Sequence, residues 1–199
     1  RSMKARILGC SGGIGGRHLR TTSILVNHDV LIDSGTGVAD LSLAELALID
    51  HVFLTHSHLD HIAALPLMID TVGDMRDKPL VVHATDAVLQ IIRNHIFNWA
   101  VWPDFSEIPS VDTPFMKFHT IRLGQKIKVG DLTVTPVPAE HTVPAVGYHL
   151  DSGDASLVFS GDTTVNDRFW PVVNKIGNLR HLIIECAFSN REERLARLS

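Results

Sequence analysis

The segment of residues 56–61, His-Ser-His-Leu-Asp-His, constrains this chain most, because it places four side chains that can bind metal directly after an apolar, strand-like run. Alternate side chains of an extended segment point to the same side, so His56 and His58 can bind one ion. Asp60 and His61 fall where the pattern becomes helical, which directs them towards a second ion. Imidazole and carboxylate are the usual ligands of zinc, manganese and iron. The segment therefore predicts a site for two metal ions.

Two ions need more ligands than one segment offers, and two later residues occupy similar positions. His141 follows a predicted strand that ends at Val137, and Asp162 follows a predicted strand over residues 156–160. Loops at the ends of strands are where a rigid scaffold presents functional groups. A carboxylate can bind two ions at once, which a histidine does not do, so Asp162 is the candidate for a ligand shared by both.

Composition narrows the class of protein. The chain has 199 residues, of which 45% are hydrophobic and 20% charged, as expected for one soluble globular domain. No apolar run approaches the roughly 20 residues that span a bilayer. The beginning of the chain becomes polar and rich in glycine after Met3, so no signal peptide is expected. The preceding Arg1 and Ser2 are interpreted as a cloning remnant.

Charge and cysteine content bear on partners and compartment. The formal net charge is −4 without a cluster of Lys and Arg, which argues against a broad nucleic-acid surface. Bound metal ions would still supply local positive charge for a phosphate substrate. Cys10 and Cys186 form no disulfide framework, and a cytoplasmic protein is expected.

The predicted strands come in runs with helices interspersed, which favours two sheets with helices on their outer faces over one doubly wound sheet. The apolar spacing predicts helices over residues 38–49, 60–72, 86–99 and 168–176, and a last one from residue 190. The glycine-rich residues 9–16 follow a strand, but a further strand comes after them. They are therefore interpreted as a tight turn rather than a dinucleotide-binding loop.

The order His-x-His-x-Asp-His, then a lone His141, then Ser-Gly-Asp162-Thr resembles the metallo-β-lactamase superfamily over nearly the whole chain. The resemblance implies an α/β (α+β) fold, an αββα four-layer sandwich. By this resemblance the chain forms a single domain over residues 3–199, with a helical and aromatic insertion at about 70–116. The resemblance also implies a distribution of ligands over the two metals. The first metal is held by His56, His58 and His141, the second by Asp60 and His61, and Asp162 bridges them.

The position of Asp162 and the end of the chain set this sequence apart within the superfamily. Its β-lactamases usually carry cysteine near Asp162, so aspartate resembles the hydrolases with a bridged dinuclear site. The superfamily also ends its site with a histidine in a late loop. The histidine that follows Asp162 here is His181, at the start of a predicted strand. The expectation is either a chain cut before that loop or a second metal that is less well held.

A finer resemblance is to the class II 3′,5′-cyclic nucleotide phosphodiesterases. It rests on His56-Ser-His-Leu-Asp-His-Ile-Ala-Ala64, Asn98-Trp-Ala-Val-Trp-Pro-Asp-Phe105 and Ile184-Glu-Cys-Ala-Phe-Ser-Asn190. It implies a metal-dependent hydrolase that cleaves phosphodiesters with hydroxide activated by two divalent ions, zinc foremost, with manganese or iron as alternatives. Asp60 would be catalytic by orienting the hydroxide as well as ligating. The aromatic side chains of the second segment either stack on a base or belong to the core: Trp99, Trp102 and Phe105.

Three alternatives stay open. His141-Thr-Val-Pro-Ala-Val-Gly-Tyr148 also resembles tRNA 3′-processing endonucleases, against which stand the negative net charge and the lack of a basic arm. Other superfamily hydrolysis, of thioesters or lactams, is the second alternative, and a metal-binding module without activity is the third. The expected partner is a small phosphodiester such as a cyclic nucleotide. Binding to a membrane or to extended nucleic acid is not expected, and a homodimer is possible. Glu140 and Glu185 are candidates for orienting the ligating histidines.

Overall fold

The computed structural model describes residues 2–164 and 167–186, and within them the strands form two sheets. The first sheet has six strands, which lie side by side in chain order. Its first three strands are antiparallel, and each strand from the third to the sixth is parallel to its neighbour. The six strands are β1 (Ala5–Gly9), β2 (Ser23–Val26), β3 (Val30–Ile32), β4 (His51–Phe53), β5 (Leu80–Ala84) and β6 (Met116–Thr120).

The second sheet has five strands in the reverse of chain order, with the last strand at one edge. All neighbours are antiparallel except the final two, which are parallel. This parallel pair matters for the site because it aligns the carboxyl ends of both strands. The five strands are β7 (Ile127–Val129), β8 (Leu132–Pro138), β9 (Val146–Asp151), β10 (Ser156–Thr163) and β11 (Leu179–Cys186).

Three apolar clusters show how the layers stack. The central cluster joins the facing sides of the two sheets, and the largest buried side chains in it include Phe53, Tyr148 and Phe159. A second cluster lies between the first sheet and its helices, and a smaller one packs Phe169 and Val173 against the second sheet. Helices thus cover the outer face of each sheet. The αββα sandwich implied by the resemblance is confirmed.

The helices are shorter than the periodicity predicts. They are α1 (Leu43–Ala47), α2 (Leu59–Ile62), α3 (Ala64–Val72), α4 (Asp86–His95) and α5 (Phe169–Val173). Residues 38–49 do not form one helix, because Ser42 and Glu45 make a reciprocal capping box that starts α1 after a 3₁₀ turn. The predicted helix from residue 190 lies outside the described residues. Within the described ranges, no helix has both the length and the hydropathy to cross a membrane.

Residues 70–116 contain β5 and α4, which belong to the first sheet and its covering layer. The assignment of this range as an insertion stays a prediction. Of its three aromatic candidates, Phe105 is buried beside Phe115 and Trp102 packs partly buried against the same core. Trp99 is 59% exposed on a backbone with φ of 68°. Trp99 is therefore the most exposed of the three, and its contact with a base stays a prediction.

Candidate metal centre

The carboxyl ends of β4, β8, β10 and β11 meet at one edge of the sandwich and bring the six predicted ligands together. The segment after β4 is fixed from both sides. The Leu54 amide donates to the carbonyl of His83, while the buried Tyr148 hydroxyl donates to the carbonyl of Leu54, at 2.6 Å. At the end of β10, Gly161 has φ of 62°, which favours glycine, and the register to β11 shifts between Phe159 and Asp162. These features direct His56 and Asp162 into the same space.

The first group of side chains contains the three histidines assigned to the first metal. Nε2 of His141 lies 3.0 Å from Nδ1 of His58. Nε2 of His56 and Nε2 of His141 each lie 3.7 Å from Oδ2 of Asp162. One ligand atom from each of these four residues falls within 4.8 Å of the others. Three imidazoles and one carboxylate at this spacing match a four-coordinate zinc-type site.

The second group lies on the other side of Asp162. Nε2 of His61 is 3.2 Å from Oδ1 of Asp162 and 3.4 Å from Oδ2 of Asp60. Oε2 of Glu185 approaches the same His61 nitrogen to 3.9 Å, and Thr22 donates a 2.5 Å hydrogen bond to its other oxygen. Asp162 therefore presents one oxygen to each group, the arrangement required of a ligand shared by two ions.

Asp33 orients one histidine of each group. Its Oδ2 accepts hydrogen bonds from Nδ1 of His61, at 2.6 Å, and from the Thr55 hydroxyl, at 2.7 Å. Because that hydroxyl has one hydrogen, its oxygen must accept the proton of Nδ1 of His56, 2.9 Å away. Both histidines thus carry a hydrogen on Nδ1, which leaves Nε2 of His56 available as a ligand atom. The carboxylate is fully buried, and the Thr55 amide donates to its other oxygen.

The pKa values of His56 and His61 are shifted in opposite directions. Burial and the neighbouring His61 lower the pKa of His56 to about 2, so it is neutral and ready to ligate. Burial also disfavours a charge on His61, but the carboxylates of Asp33 and Asp162 outweigh it and raise its pKa to about 11. Burial raises the pKa of Asp60, and it raises that of Glu185 to about 8 against the Thr22 hydrogen bond. Without metal, the second group therefore holds protons at neutral pH.

The residues fit metal ions by a direct structural test. Buried polar atoms in proteins almost always have a hydrogen-bond partner. Nε2 of His56 is buried without one, and it borders the space around Asp162. Imidazole nitrogen and carboxylate oxygen are ligand atoms for zinc, manganese and iron. The centre can therefore hold divalent ions; the ligand role of each residue stays a prediction.

Metal binding in the second group should depend on pH. A metal ion must displace the proton on Nε2 of His61, and also that of Glu185 if this carboxyl ligates. We expect the affinity for Mn²⁺ there to rise at least about tenfold for each pH unit between 6 and 8, because at least one proton competes. Calorimetry in buffers of different ionisation enthalpy should show release of about one proton or more. Affinity that is equal at pH 6 and pH 8 would contradict this assignment.

Sequence reasoning gave no orienting role to Asp33 and placed Glu185 only as a partner of a ligating histidine. Asp33 directly follows the buried strand β3, as Asp162 follows the strand predicted over residues 156–160, and this position was the available signal. Glu140, the other such candidate, pairs with Arg168 instead of a histidine. His181 is exposed on β11 and belongs to no ligand cluster within the described residues.

A profile described as the β-lactamase superfamily domain matches residues 28–197, most of the chain. The chain belongs to this superfamily. A probable 3′,5′-cyclic-nucleotide phosphodiesterase of Yersinia pestis is 28% identical over 123 residues, 60% of this chain and 34% of that protein. A ribonuclease Z of Methanopyrus kandleri is 26% identical over 158 residues, 76% of this chain and 51% of that protein. The chain spans about half or less of the length of such curated relatives.

Solved structures agree with the superfamily fold. Unliganded yeast PDE1 superposes with a TM-score of 0.77 over 98% of this chain and 78% of its own, at 16% identity. The metallo-β-lactamase fold protein YhfI of Bacillus subtilis gives 0.67 over 85% and 66%, at 21% identity. At these identities the superpositions establish the arrangement of the layers. The profile match confirms the superfamily resemblance on which the sequence prediction rested, and the superpositions confirm its fold.

Proposed function

We propose that this protein is a metal-dependent phosphodiesterase that uses two divalent ions, zinc foremost, and acts on a small phosphodiester such as a cyclic nucleotide. The observation that carries the proposal is the position of Asp162. Its two oxygens face two separate groups of ligand atoms, His56 and His141 on one side and His61 on the other. Paired ions suit phosphodiester hydrolysis, because both the attacking and the leaving oxygen carry charge.

In the proposed centre His56, His58 and His141 would hold the first ion, Asp60, His61 and Glu185 would be available to the second, and Asp162 would serve both. Bound ions would lower the pKa of water and stabilise charge that develops on the phosphate.

The protein's own groups position the reactants. Asp60 is in the first turn of α2, partly exposed, and can accept a hydrogen bond from the attacking water at its Oδ2. Because burial raises the pKa of Asp60, its carboxylate is a stronger base than an exposed aspartate. Asp33 accepts the hydrogen bonds from His61 and from the Thr55 hydroxyl that orient the two histidines.

The relatives support the proposal at the level of phosphodiester chemistry, since those named above are a probable cyclic-nucleotide phosphodiesterase and a ribonuclease Z. A tRNA 3′-processing activity is the second candidate. It is favoured by the further ribonuclease Z matches, which cover 63–77% of this chain. The net charge of −4 favours the small substrate, because a protein that neutralises many phosphates needs a basic surface.

Hydrolysis of bis-p-nitrophenyl phosphate tests the proposal. We expect turnover by the protein loaded with Mn²⁺ or Zn²⁺, and loss of at least about 99% of it after chelation and gel filtration, because the ions supply several kcal/mol of transition-state stabilisation. Re-addition of metal should restore the rate, which separates removal of the ion from denaturation. Lack of turnover at every metal load would refute the enzyme. With an active preparation, 3′,5′-cyclic AMP compared with a pre-tRNA decides between the two candidates.

A further inference from the structure

An open cleft of about 470 Å³ lies beside the metal centre, on the side of His141. This volume falls within the range of small-molecule sites, about 300–1,000 Å³. One wall is the loop of residues 139–145, and Thr85 and Arg168 complete the lining. A substrate whose scissile phosphate lies at the centre would therefore extend its next group into this cleft.

Arg168 is the one basic side chain, apart from the metal-site histidine, among the described residues that line the cleft. Its Nη2 donates to Oε1 of Glu140 at 3.1 Å, and their side chains are 65% and 49% exposed. Glu140 directly precedes His141 in the chain. The guanidinium thus lies in the wall of the cleft, and it is paired with the residue next to His141, a predicted ligand of the first metal.

The backbone around Glu140 is tied to the strand that carries Asp162. The Glu140 amide donates to the Thr163 hydroxyl at 3.1 Å, and the Thr164 amide donates to the Glu140 carbonyl at 2.7 Å. These bonds fix the residue that holds Arg168 relative to the metal centre. The backbone of Glu140, whose side chain pairs with Arg168, therefore has a fixed place beside the strand that carries Asp162.

We propose that this cleft binds a second phosphate group next to the scissile diester, with Arg168 as its contact and Glu140 as the internal anion that it displaces. The inference rests on the proposed phosphodiesterase function and extends its substrate class to phosphodiesters with a neighbouring phosphate, such as a 5′-phosphorylated dinucleotide. A single-phosphate substrate uses the metal centre alone, whereas the second phosphate reaches beyond the ions and needs its own cation.

The exchange of partners is physically reasonable. An exposed ion pair between side chains contributes little stability, because water screens both charges and long side chains lose freedom. A phosphate offers several oxygens that match the planar fork of a guanidinium, which gives two charge-assisted hydrogen bonds. The approaching phosphate can therefore replace Glu140 without a large cost to the fold.

The test compares thymidylyl-thymidine with and without a 5′-phosphate, two substrates that share one scissile diester. We expect the metal-loaded protein to show a KM about tenfold lower for the phosphorylated form, the effect of charge-assisted contacts. Arg168→Ala should abolish this preference through KM, while kcat for the phosphorylated form stays within about twofold. Glu140→Gln should strengthen the preference, because it removes the competing carboxylate. Arg122→Ala, an exposed arginine in the loop after β6, is the matched control and should keep the preference.

Calorimetric titration of the metal-free protein with the same two dinucleotides measures their binding independently of turnover. Lack of hydrolysis of bis-p-nitrophenyl phosphate would refute the proposed function, and the binding contrast would still decide the role of Arg168. Equal affinity of the normal protein for both dinucleotides would overturn the inference. So would a preference for the phosphorylated form that survives Arg168→Ala, or one that Arg122→Ala removes to the same degree. Added NaCl should reduce the preference, since it screens the contact.

Discussion

Asp162→Asn is expected to reduce the bound divalent metal from two ions to about one and to lower kcat for bis-p-nitrophenyl phosphate by about 10³-fold. The magnitude follows because a metal ion supplies several kcal/mol of transition-state stabilisation and each 1.4 kcal/mol is a factor of ten. The carboxylate presents one oxygen to His56 and His141 and the other to His61. An amide offers one oxygen and no negative charge, so it cannot serve both groups.

Elemental analysis of the purified variant gives the metal content, and circular dichroism shows whether the fold persists. Asp112→Asn, in an exposed loop between α4 and β6, is the matched control and should keep both metal content and rate. The bridging role would be wrong if Asp162→Asn retained two ions with activity within about tenfold of the unmodified protein. Loss of the circular dichroism signal would show instead that the Asp162 side chain is needed for the fold.

The sequence predicted the part of the centre that is local or follows a simple rule. His56, His58, Asp60 and His61 lie within six residues after one buried strand, so the ends of β4 and α2 alone bring them together. Asp162 was accessible because it stands at a strand end. Glu185 could not be placed in this way. Its approach to His61 depends on the parallel pairing of β10 with β11 and on the register shift that sets it opposite Asp162.

The helix boundaries and the aromatic residues also show which features local sequence predicts and which depend on tertiary structure. Apolar spacing located the helical segments, but it could not reveal that Ala63 separates α2 from α3 or that a capping box starts α1 at Leu43. Trp99 and Phe105 belong to one aromatic segment in the sequence, yet one is exposed and the other is buried. Their burial is set by the strands and helices of the first sheet, so tertiary packing decides which can meet a ligand.

Asp33→Ala should produce the largest loss of stability, about 3–5 kcal/mol in the free energy of unfolding, measured by urea denaturation of the metal-free protein. The reason is that a fully buried carboxylate accepts hydrogen bonds from Nδ1 of His61 and from both the amide and the hydroxyl of Thr55. Removing one partner of a buried charged pair leaves the other charge uncompensated. A loss below about 1 kcal/mol would contradict this role.

Asp33→Asn separates stability from metal chemistry. The amide oxygen can still accept from the Thr55 backbone, but the amide nitrogen takes the place of Oδ2 and donates to Nδ1 of His61 and to the Thr55 hydroxyl oxygen. His61 must then carry its hydrogen on Nε2, the atom that faces Asp60 and Asp162. We therefore expect affinity for the second ion to fall about 10–100-fold, the usual effect of losing an orienting partner.

Thr55→Val provides the contrasting variant, because it removes the hydroxyl that holds Nδ1 of His56 while the carboxylate of Asp33 still holds His61. Competition with a chromophoric chelator should show the first ion weakened in Thr55→Val and the second in Asp33→Asn. Equal weakening of both ions in both variants would mean that the network acts on the centre as a whole. Weakening of the first ion alone in Thr55→Val would instead establish that the Thr55 hydroxyl positions His56 while the Asp33 carboxylate positions His61 directly.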